Sequence, residues 1–128
     1  MRSMKDTTKT YFADTYALID MIKGSSSYTP YLTQRITTTT YNLIELYYQI
    51  LKEYGPKTAN HYLRFYAYFL TPISLHSVRQ GMQFKLQYKK EKLSYVDCVG
   101  YATALELDIP FLTGDSKFKD KPGVEFVR

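Results

Sequence analysis

The chain has 128 residues and a mass of 15.0 kDa, the size of one domain, and we predict a single domain over residues 1–128. Hydrophobic residues make up 45% of the sequence, which excludes a chain that is mainly disordered. The net charge of +5 favours polyanionic partners, nucleic acid above all.

The single cysteine, the histidines and the short apolar segments argue against several further classes of protein. A lone cysteine, Cys98, forms neither an internal disulfide nor a zinc cage and is typical of a reducing compartment. His61 and His76 lie far apart, which argues against a histidine-rich metal site. The most apolar short run, residues 62–70, contains Arg64 and is far below the roughly 20 residues of a membrane span. The first ten residues lack the apolar segment of a secretory signal, so the expected location is the cytoplasm.

Strand and helix patterns alternate along the chain. Runs rich in β-branched and aromatic residues predict strands at residues 8–13, 35–40, 71–75, 110–113 and 124–127. Between them, apolar residues at helical spacing predict helices at residues 15–23, 30–34, 41–54, 57–69, 76–90 and 93–107. This alternation predicts an α/β fold with a parallel sheet covered by helices on both faces. Ligands of such sheets bind beyond the carboxyl ends of the strands.

The helix predicted at residues 41–54 separates its side chains clearly into two faces. The apolar face consists of Leu43, Leu46, Tyr47, Ile50, Leu51 and Tyr54. The opposite face is polar and consists of Asn42, Glu45, Gln49, Lys52 and Glu53.

Four carboxylates are expected at the carboxyl edge of the sheet. Asp14 ends the first strand, and Asp115 follows the fourth. Glu45 lies early in the helix after the second strand, and Asp97 lies in the first turn of the helix that leads into the fourth. Because a helix that precedes a parallel strand begins at that strand's carboxyl edge, the sequence predicts that all four side chains converge on one pocket.

Such a cluster is costly without a cation. Two like charges a few ångströms apart repel by about 1 kcal/mol even in water. Either the carboxyl pKa values rise or a divalent cation fills the centre. Oxygen ligands alone favour Mg²⁺ or Mn²⁺ over zinc, and hydrolysis of a phosphodiester is the chemistry that this set of ligands suits.

Each acid also has a purely structural interpretation. Asp14 can be the N-cap of the following helix, and Asp115 can cap a turn. Asp97 stands three residues after Ser94, the spacing of a capping box, with Leu93 and Cys98 as its hydrophobic staple. Glu45 can be a solvated helix residue. Four acids at one edge favour the shared site over four separate explanations.

Tyrosine and lysine leave further alternatives open. The 14 tyrosines, with no tryptophan, serve either as core residues with polar tips or as a stacking surface for bases. Lys117 and Lys119 flank the expected pocket and are candidates for phosphate contacts or plain surface lysines. The charged run at residues 89–92 is interpreted as a solvated helix end.

The acids and their surroundings, taken in order, resemble those of the PIN-domain ribonucleases, and among them the small VapC-type toxins of toxin–antitoxin pairs. The resemblance covers nearly the whole chain. It rests on Asp14-Thr15, on Glu45 in NLIEL, on Asp97 in YVDCVGYA, on IPFLTGDSKF around Asp115, and on the final GVEFV. The sequence departs from the family at residues 98–101, where small alanines are common and this chain has Cys, Val, Gly and Tyr.

The resemblance implies a three-layer PIN-like fold whose central parallel sheet has the strand order 3-2-1-4-5. It implies that Asp14, Glu45, Asp97 and Asp115 form the catalytic site and hold one or two Mg²⁺ or Mn²⁺ ions for RNA hydrolysis. Glu45 would hold a metal-bound water or orient the attacking one. It further implies a homodimer and a cognate antitoxin that occludes the site.

Two other interpretations deserve comparison. A non-catalytic RNA-binding module on the same fold would bind RNA without metal-dependent cleavage. A phospho-acceptor receiver domain is set aside, because Ala13 precedes Asp14 where paired acids are needed and residues 71–75 carry no acid. The aromatic residues Tyr62, Phe65, Tyr66 and Phe69 exceed what one small core needs, so we expect them in a dimer interface or an antitoxin groove.

Overall fold

The computed structural model describes residues 8–128 and contains, within them, four strands, five α-helices and four short 3-10 segments. The strands are β1 (Thr10–Ala13), β2 (Arg35–Thr37), β3 (Phe111–Thr113) and β4 (Val124–Phe126). The helices are α1 (Thr15–Lys23), α2 (Thr40–Tyr54), α3 (Pro56–Tyr66), α4 (Leu75–Gln87) and α5 (Tyr95–Leu107). The 3-10 segments are Ser26–Thr33, Ala67–Phe69, Lys89–Glu91 and Ser116–Phe118. None of the described helices is long and apolar enough to cross a membrane.

The four strands form one parallel sheet in the order β2-β1-β3-β4. In the central pair, Phe12 lies opposite Phe111 and Ala13 opposite Leu112. Helices cover both faces, so the predicted α/β fold with a parallel sheet between helices is confirmed. The carboxyl ends of β1 and β3 lie side by side at one edge.

The sheet has four strands, and the strand predicted at residues 71–75 is wrong. Only an isolated parallel bridge between Thr38 and Leu70 remains beside β2. The Thr38 N–H donates to the Phe69 carbonyl at 3.0 Å, and the Thr71 N–H donates to the Thr38 carbonyl at 2.8 Å. Pro72 then has no N–H to continue a ladder. Ser74 already serves as the N-cap of α4, since its hydroxyl accepts from the Ser77 N–H at 3.0 Å.

Other boundaries shift for local reasons. The strand predicted at residues 35–40 ends at Thr37, because Thr39 is the N-cap of α2 and accepts from the Asn42 N–H. The helix predicted at residues 30–34 is part of the 3-10 segment Ser26–Thr33. The helix predicted at residues 57–69 begins at Pro56 and narrows to a 3-10 turn after Tyr66.

The sheet separates two apolar clusters because successive side chains of a strand point to opposite faces. Tyr11 and Ala13 face the cluster beneath α1 and α2, and Phe12 faces the cluster beneath α5. Tyr28 and Tyr101 are almost fully buried, and each satisfies its hydroxyl by donating to a backbone carbonyl, that of Val127 at 2.7 Å and that of Pro122 at 2.5 Å. These two tyrosines are core residues with polar tips.

The four aromatic residues expected at an interface lie largely inside the molecule. Tyr66 is buried, and Tyr62 and Phe69 pack against the cluster beneath α1 and α2. Phe65 remains 50% exposed, and Tyr68, which follows in the 3-10 turn, is 87% exposed. Of the four rings that we expected at an interface, Phe65 alone is exposed.

Candidate active site

Asp14 is the most deeply placed of the four acids. It follows β1 and is 2% exposed. The Thr113 hydroxyl donates to its Oδ2 across 2.7 Å. Its other oxygen, Oδ1, is buried and has no hydrogen-bond partner within residues 8–128. Asp14 occupies the N-cap position of α1 but makes no side-chain capping bond, so capping does not explain its carboxylate.

The surroundings of Asp14 oppose its ionisation. Burial is the largest cause, and with the negative charges of Asp97 and Glu45 it raises the pKa of Asp14 from 3.8 to about 8. The hydrogen bond from Thr113 works in the opposite direction. A carboxyl group in this state gains strongly from a nearby cation, which would favour its charged form.

Thr113 joins the ends of β1 and β3. While its hydroxyl donates to Asp14, the same oxygen accepts the Asp115 N–H at 3.1 Å. One threonine hydroxyl therefore links the carboxylate after β1 to the backbone after β3. Asp115 Oδ1 accepts the Lys117 N–H at 3.0 Å, so the predicted turn cap is also present.

Gly114 allows this turn to lie against its neighbours. A Cβ at this position would stand 2.6 Å from the Val127 carbonyl oxygen and 2.2 Å from the Tyr16 ring. Backbone cannot move away from such a contact cheaply, so glycine is required between Thr113 and Asp115. The tight turn thereby fixes where Asp115 leaves the sheet.

Glu45 is held by a chain of hydrogen bonds that begins at the start of α2. The Thr39 hydroxyl donates to Asn42 Oδ1 at 2.7 Å, and Asn42 Nδ2 donates to the Thr15 oxygen at 3.1 Å. The Thr15 hydroxyl then donates to Glu45 Oε1 at 2.7 Å. Burial raises the pKa of Glu45, the Thr15 bond lowers it, and the charge of Asp97 raises it.

Asn42 and Thr15 were missed as site residues by the sequence reasoning. Asn42 lies on the polar face of the predicted helix, but it is fully buried. The helical period alone cannot distinguish a polar residue that faces water from one that faces a buried polar network. The available signal was Thr39 three residues earlier, because an N-cap threonine indicates that this turn lies at the sheet edge.

Asp97 has two roles in the structure. It completes the predicted capping box: the Ser94 hydroxyl accepts the Asp97 N–H at 3.0 Å, and Asp97 Oδ2 accepts the Ser94 N–H at 3.4 Å. Leu93 and Cys98 are buried in the same cluster, as expected for the staple. Burial raises the pKa of Asp97, the Ser94 bonds lower it, and among the charges Asp115 raises it while Lys117 lowers it.

The four acids lie at one edge and act on one another electrostatically. Asp14 interacts with Asp97 and Glu45, and Asp97 with Asp115. They do not form a closed cage, because within residues 8–128 no three His, Cys, Asp or Glu side chains are grouped closely enough to hold a metal ion as they stand. Mg²⁺ commonly binds through one or two carboxylates and several waters, so an open set of acids remains compatible with it.

The buried Asp14 Oδ1 is the observation that tests the fit of a cation. A buried carboxylate oxygen without a donor is costly unless it meets a positive charge. Asp97 and Glu45 surround it with more negative charge, which a divalent ion would neutralise. The residues therefore fit a hard divalent cation with oxygen ligands.

Comparison with known proteins identifies the family. The model of the PIN domain family matches residues 11–124, and the chain belongs to this family. No curated protein matches the sequence. The resemblance found in the acidic motifs is thereby confirmed.

Several solved structures share the fold. A toxin–antitoxin complex from Klebsiella pneumoniae contains a chain that is 20% identical, with a TM-score of 0.71 over 90% of this chain and 95% of that one. VapC20 of Mycobacterium tuberculosis, a toxin that cleaves the sarcin–ricin loop, is 14% identical, with a TM-score of 0.75 over 92% of this chain and 99% of that one. A DNA-bound VapBC from Salmonella typhimurium is 16% identical, with a TM-score of 0.71 over 93% and 97%. The chain thus has the fold seen in VapC toxin structures.

Proposed function

We propose that this protein is an endoribonuclease that depends on Mg²⁺ or Mn²⁺ and is the toxin of a VapC-type toxin–antitoxin pair. The observation that carries the proposal is the buried Asp14 carboxylate, which has two further acids nearby and one oxygen with no hydrogen-bond partner among residues 8–128. Membership of the PIN domain family and the fold shared with VapC toxins support the same activity. RNA as substrate would place its action in the cytoplasm.

In this proposal the four acids have two different roles. Asp14, Asp97 and Asp115 hold the cation, and Thr113 keeps Asp14 and Asp115 in a fixed relation. A bound divalent cation supplies the positive charge that activates water and stabilises the phosphate in the transition state. Glu45 orients the attacking water with the oxygen that Thr15 leaves free, and its raised pKa suits a group that accepts a proton.

An apolar groove beside the acids supports the antitoxin part of the proposal. Its volume is about 380 Å³, and its lining residues are Tyr41, Val78, Met82, Tyr95, Val96 and Val99. Val96 directly precedes Asp97, so a peptide seated in this groove would lie beside the acids and block access to them. Two of the solved structures with this fold are toxin–antitoxin or VapBC complexes. Phe65 and Tyr68 are two exposed rings near the end of α3, and we propose that they contact a second copy of the chain.

The direct test is cleavage of a labelled RNA containing both loops and single strands. We expect cleavage with Mn²⁺ or Mg²⁺ and none with chelator. Binding of the RNA without cleavage under any metal condition would support the non-catalytic RNA-binding module instead. If the protein neither bound nor cleaved the RNA, both functions would be contradicted.

A further inference from the structure

Lysines are concentrated on one flank of the acidic edge. Residues 85–92 and 117–121 contain seven lysines and two acids, a surplus equal to the net charge of the whole chain. The exposed members are Lys89, Lys90, Lys92, Lys117 and Lys119, and we call this set the lysine ridge. Within residues 8–128, no carboxylate lies within ion-pair distance of any of these five ammonium groups.

Contacts between the segments hold the ridge together. Lys117 Nζ donates to the Lys92 carbonyl at 3.4 Å, and Lys85 Nζ donates to the neighbouring Leu93 carbonyl. Lys121 pairs with Glu91 at 2.9 Å and lies 4.4 Å from the centre of the Tyr88 ring. The turn at residues 89–92, which the sequence indicated as a solvated helix end, is therefore anchored to both α4 and the segment after β3.

This anchoring places the ridge directly beside the candidate site. Lys92 lies two residues before Ser94, whose capping box contains Asp97. The backbone N–H of Lys117 donates to Asp115 Oδ1. Asp97 and Asp115 therefore lie within a few residues of the lysines of the ridge.

The backbone of Lys92 adds a second observation. It has a φ of 56° and an αL conformation, which glycine or asparagine adopts more easily than lysine does. Packing gives no reason for lysine there, because the residue is exposed. The turn therefore carries an exposed ammonium group although glycine would suit its backbone better.

We propose that the lysine ridge is the surface on which the RNA strand lies as it enters or leaves the acidic pocket. The inference rests on the proposed function in taking RNA as the ligand. A polyanion that approaches four carboxylates is repelled, and unpaired lysines next to them offset that repulsion. Flexible ammonium groups suit phosphates, whose charge repeats along the strand without regard to sequence. The ridge therefore contributes affinity and not base specificity.

The test compares two triple variants with equal loss of charge. In the ridge triple, Lys89, Lys90 and Lys92 are replaced by glutamine. In the control triple, Lys23, Lys52 and Lys57, which are exposed on α1, α2 and α3, are replaced by glutamine. Binding of a labelled oligouridylate is measured by fluorescence anisotropy in chelator, over a range of salt concentrations. Thermal melts of both variants establish that each is folded.

We expect the ridge triple to bind at least about tenfold more weakly at low salt than the parent. We expect its slope of log affinity against log salt to be smaller by about 2, since each phosphate contact on a single strand contributes roughly 0.7. The control triple should keep most of the affinity and the slope. Equal losses in both triples would show an effect of net charge alone and would overturn the inference, as would a folded ridge triple that binds like the parent.

Two further outcomes separate this inference from the proposed function. If the parent binds RNA through the ridge but does not cleave it with Mn²⁺, the inference about the ridge is supported and the proposed nuclease activity is contradicted. If the parent cleaves RNA and the ridge triple binds and cleaves it equally well, the nuclease activity is supported and the inference about the ridge is contradicted. Displacement of the oligouridylate by poly-glutamate at equal charge concentration would assign the surface to acidic polypeptides and overturn the RNA assignment.

Discussion

The Thr15 hydroxyl donates to Glu45 Oε1 across 2.7 Å, although Thr15 begins α1 and Glu45 lies in α2, beyond β2 in the chain. Asn42 determines which of the two groups donates, because its amide N–H donates to the same Thr15 oxygen. Thr15 therefore keeps its own hydrogen for Glu45. The result is a carboxylate with one oxygen held in place by a directed hydrogen bond.

Replacement of Thr15 tests this arrangement. Thr15→Val keeps the shape of the side chain but leaves both Glu45 Oε1 and the buried Asn42 amide without their partner, so we expect a fall in the cleavage rate of about tenfold or more. Thr15→Ser keeps the hydroxyl and should retain most of the activity. The comparison is made at saturating RNA with a melt of each variant. Equal rates for the valine and serine variants would show that Thr15 does not position Glu45.

Asp97→Asn tests the acidic site itself. Asparagine keeps the shape and can still accept the weak bond from the Ser94 N–H, but it removes a charge that would hold the cation. We expect metal-dependent RNA cleavage to be lost and the fold to remain. Asp108→Asn is the matched control, since Asp108 is exposed at the other end of α5 and already has an αL backbone that asparagine tolerates. Parent-like cleavage by Asp97→Asn would contradict the site assignment.

The sequence predicts the edge of the sheet better than it predicts the contacts there. Asp14 and Asp115 end parallel strands, and strand direction alone sends them to the same edge. The hydroxyls of Thr15 and Thr113 were harder to foresee, because hydrogen-bond direction depends on which neighbours also donate. The strand predicted at residues 71–75 does not form, because Pro72 has no N–H to donate to a neighbouring strand. Its β-branched neighbours Thr71 and Ile73 had favoured a strand there.

Divalent metal should stabilise the protein. The acids are close enough to interact only in the folded state, so a cation that binds there adds stability by mass action, about 2.7 kcal/mol at a hundredfold excess over its dissociation constant. For a chain of this length the melting temperature should rise by several degrees. In Asp14→Asn the response to Mn²⁺ should shrink. A parent melt that does not respond to millimolar Mn²⁺ would count against a metal pocket, and calorimetry in chelator and in Mn²⁺ provides the measurement.

The metal-free protein should lose stability as the pH rises. The folded-state pKa of Asp14 is raised to about 8 from an ordinary 3.8, so its contribution is fully present below about 3.8 and is lost as the pH rises through about 8. Between those values the folded state holds the extra proton, and the free energy of unfolding falls by up to about 1.4 kcal/mol per pH unit. Asp14→Asn cannot titrate and should show a flatter profile in chelator. Identical pH profiles for the two proteins would mean that the Asp14 carboxyl is not perturbed by burial.

Lys92→Gly should separate stability from RNA binding. Glycine adopts the αL backbone at φ 56° without strain, so we expect the variant to be more stable by about 1 kcal/mol. The carbonyl that accepts from Lys117 is unchanged, so the turn should keep its anchor. RNA affinity in chelator should nevertheless fall, because one ridge charge is lost. Asp108→Gly is the control, since Asp108 also has a φ of 56° but lies at the far end of α5, and it should gain stability without weakening RNA binding. If Lys92→Gly were more stable and bound RNA like the parent, the lysine at this position would have no part in binding the strand.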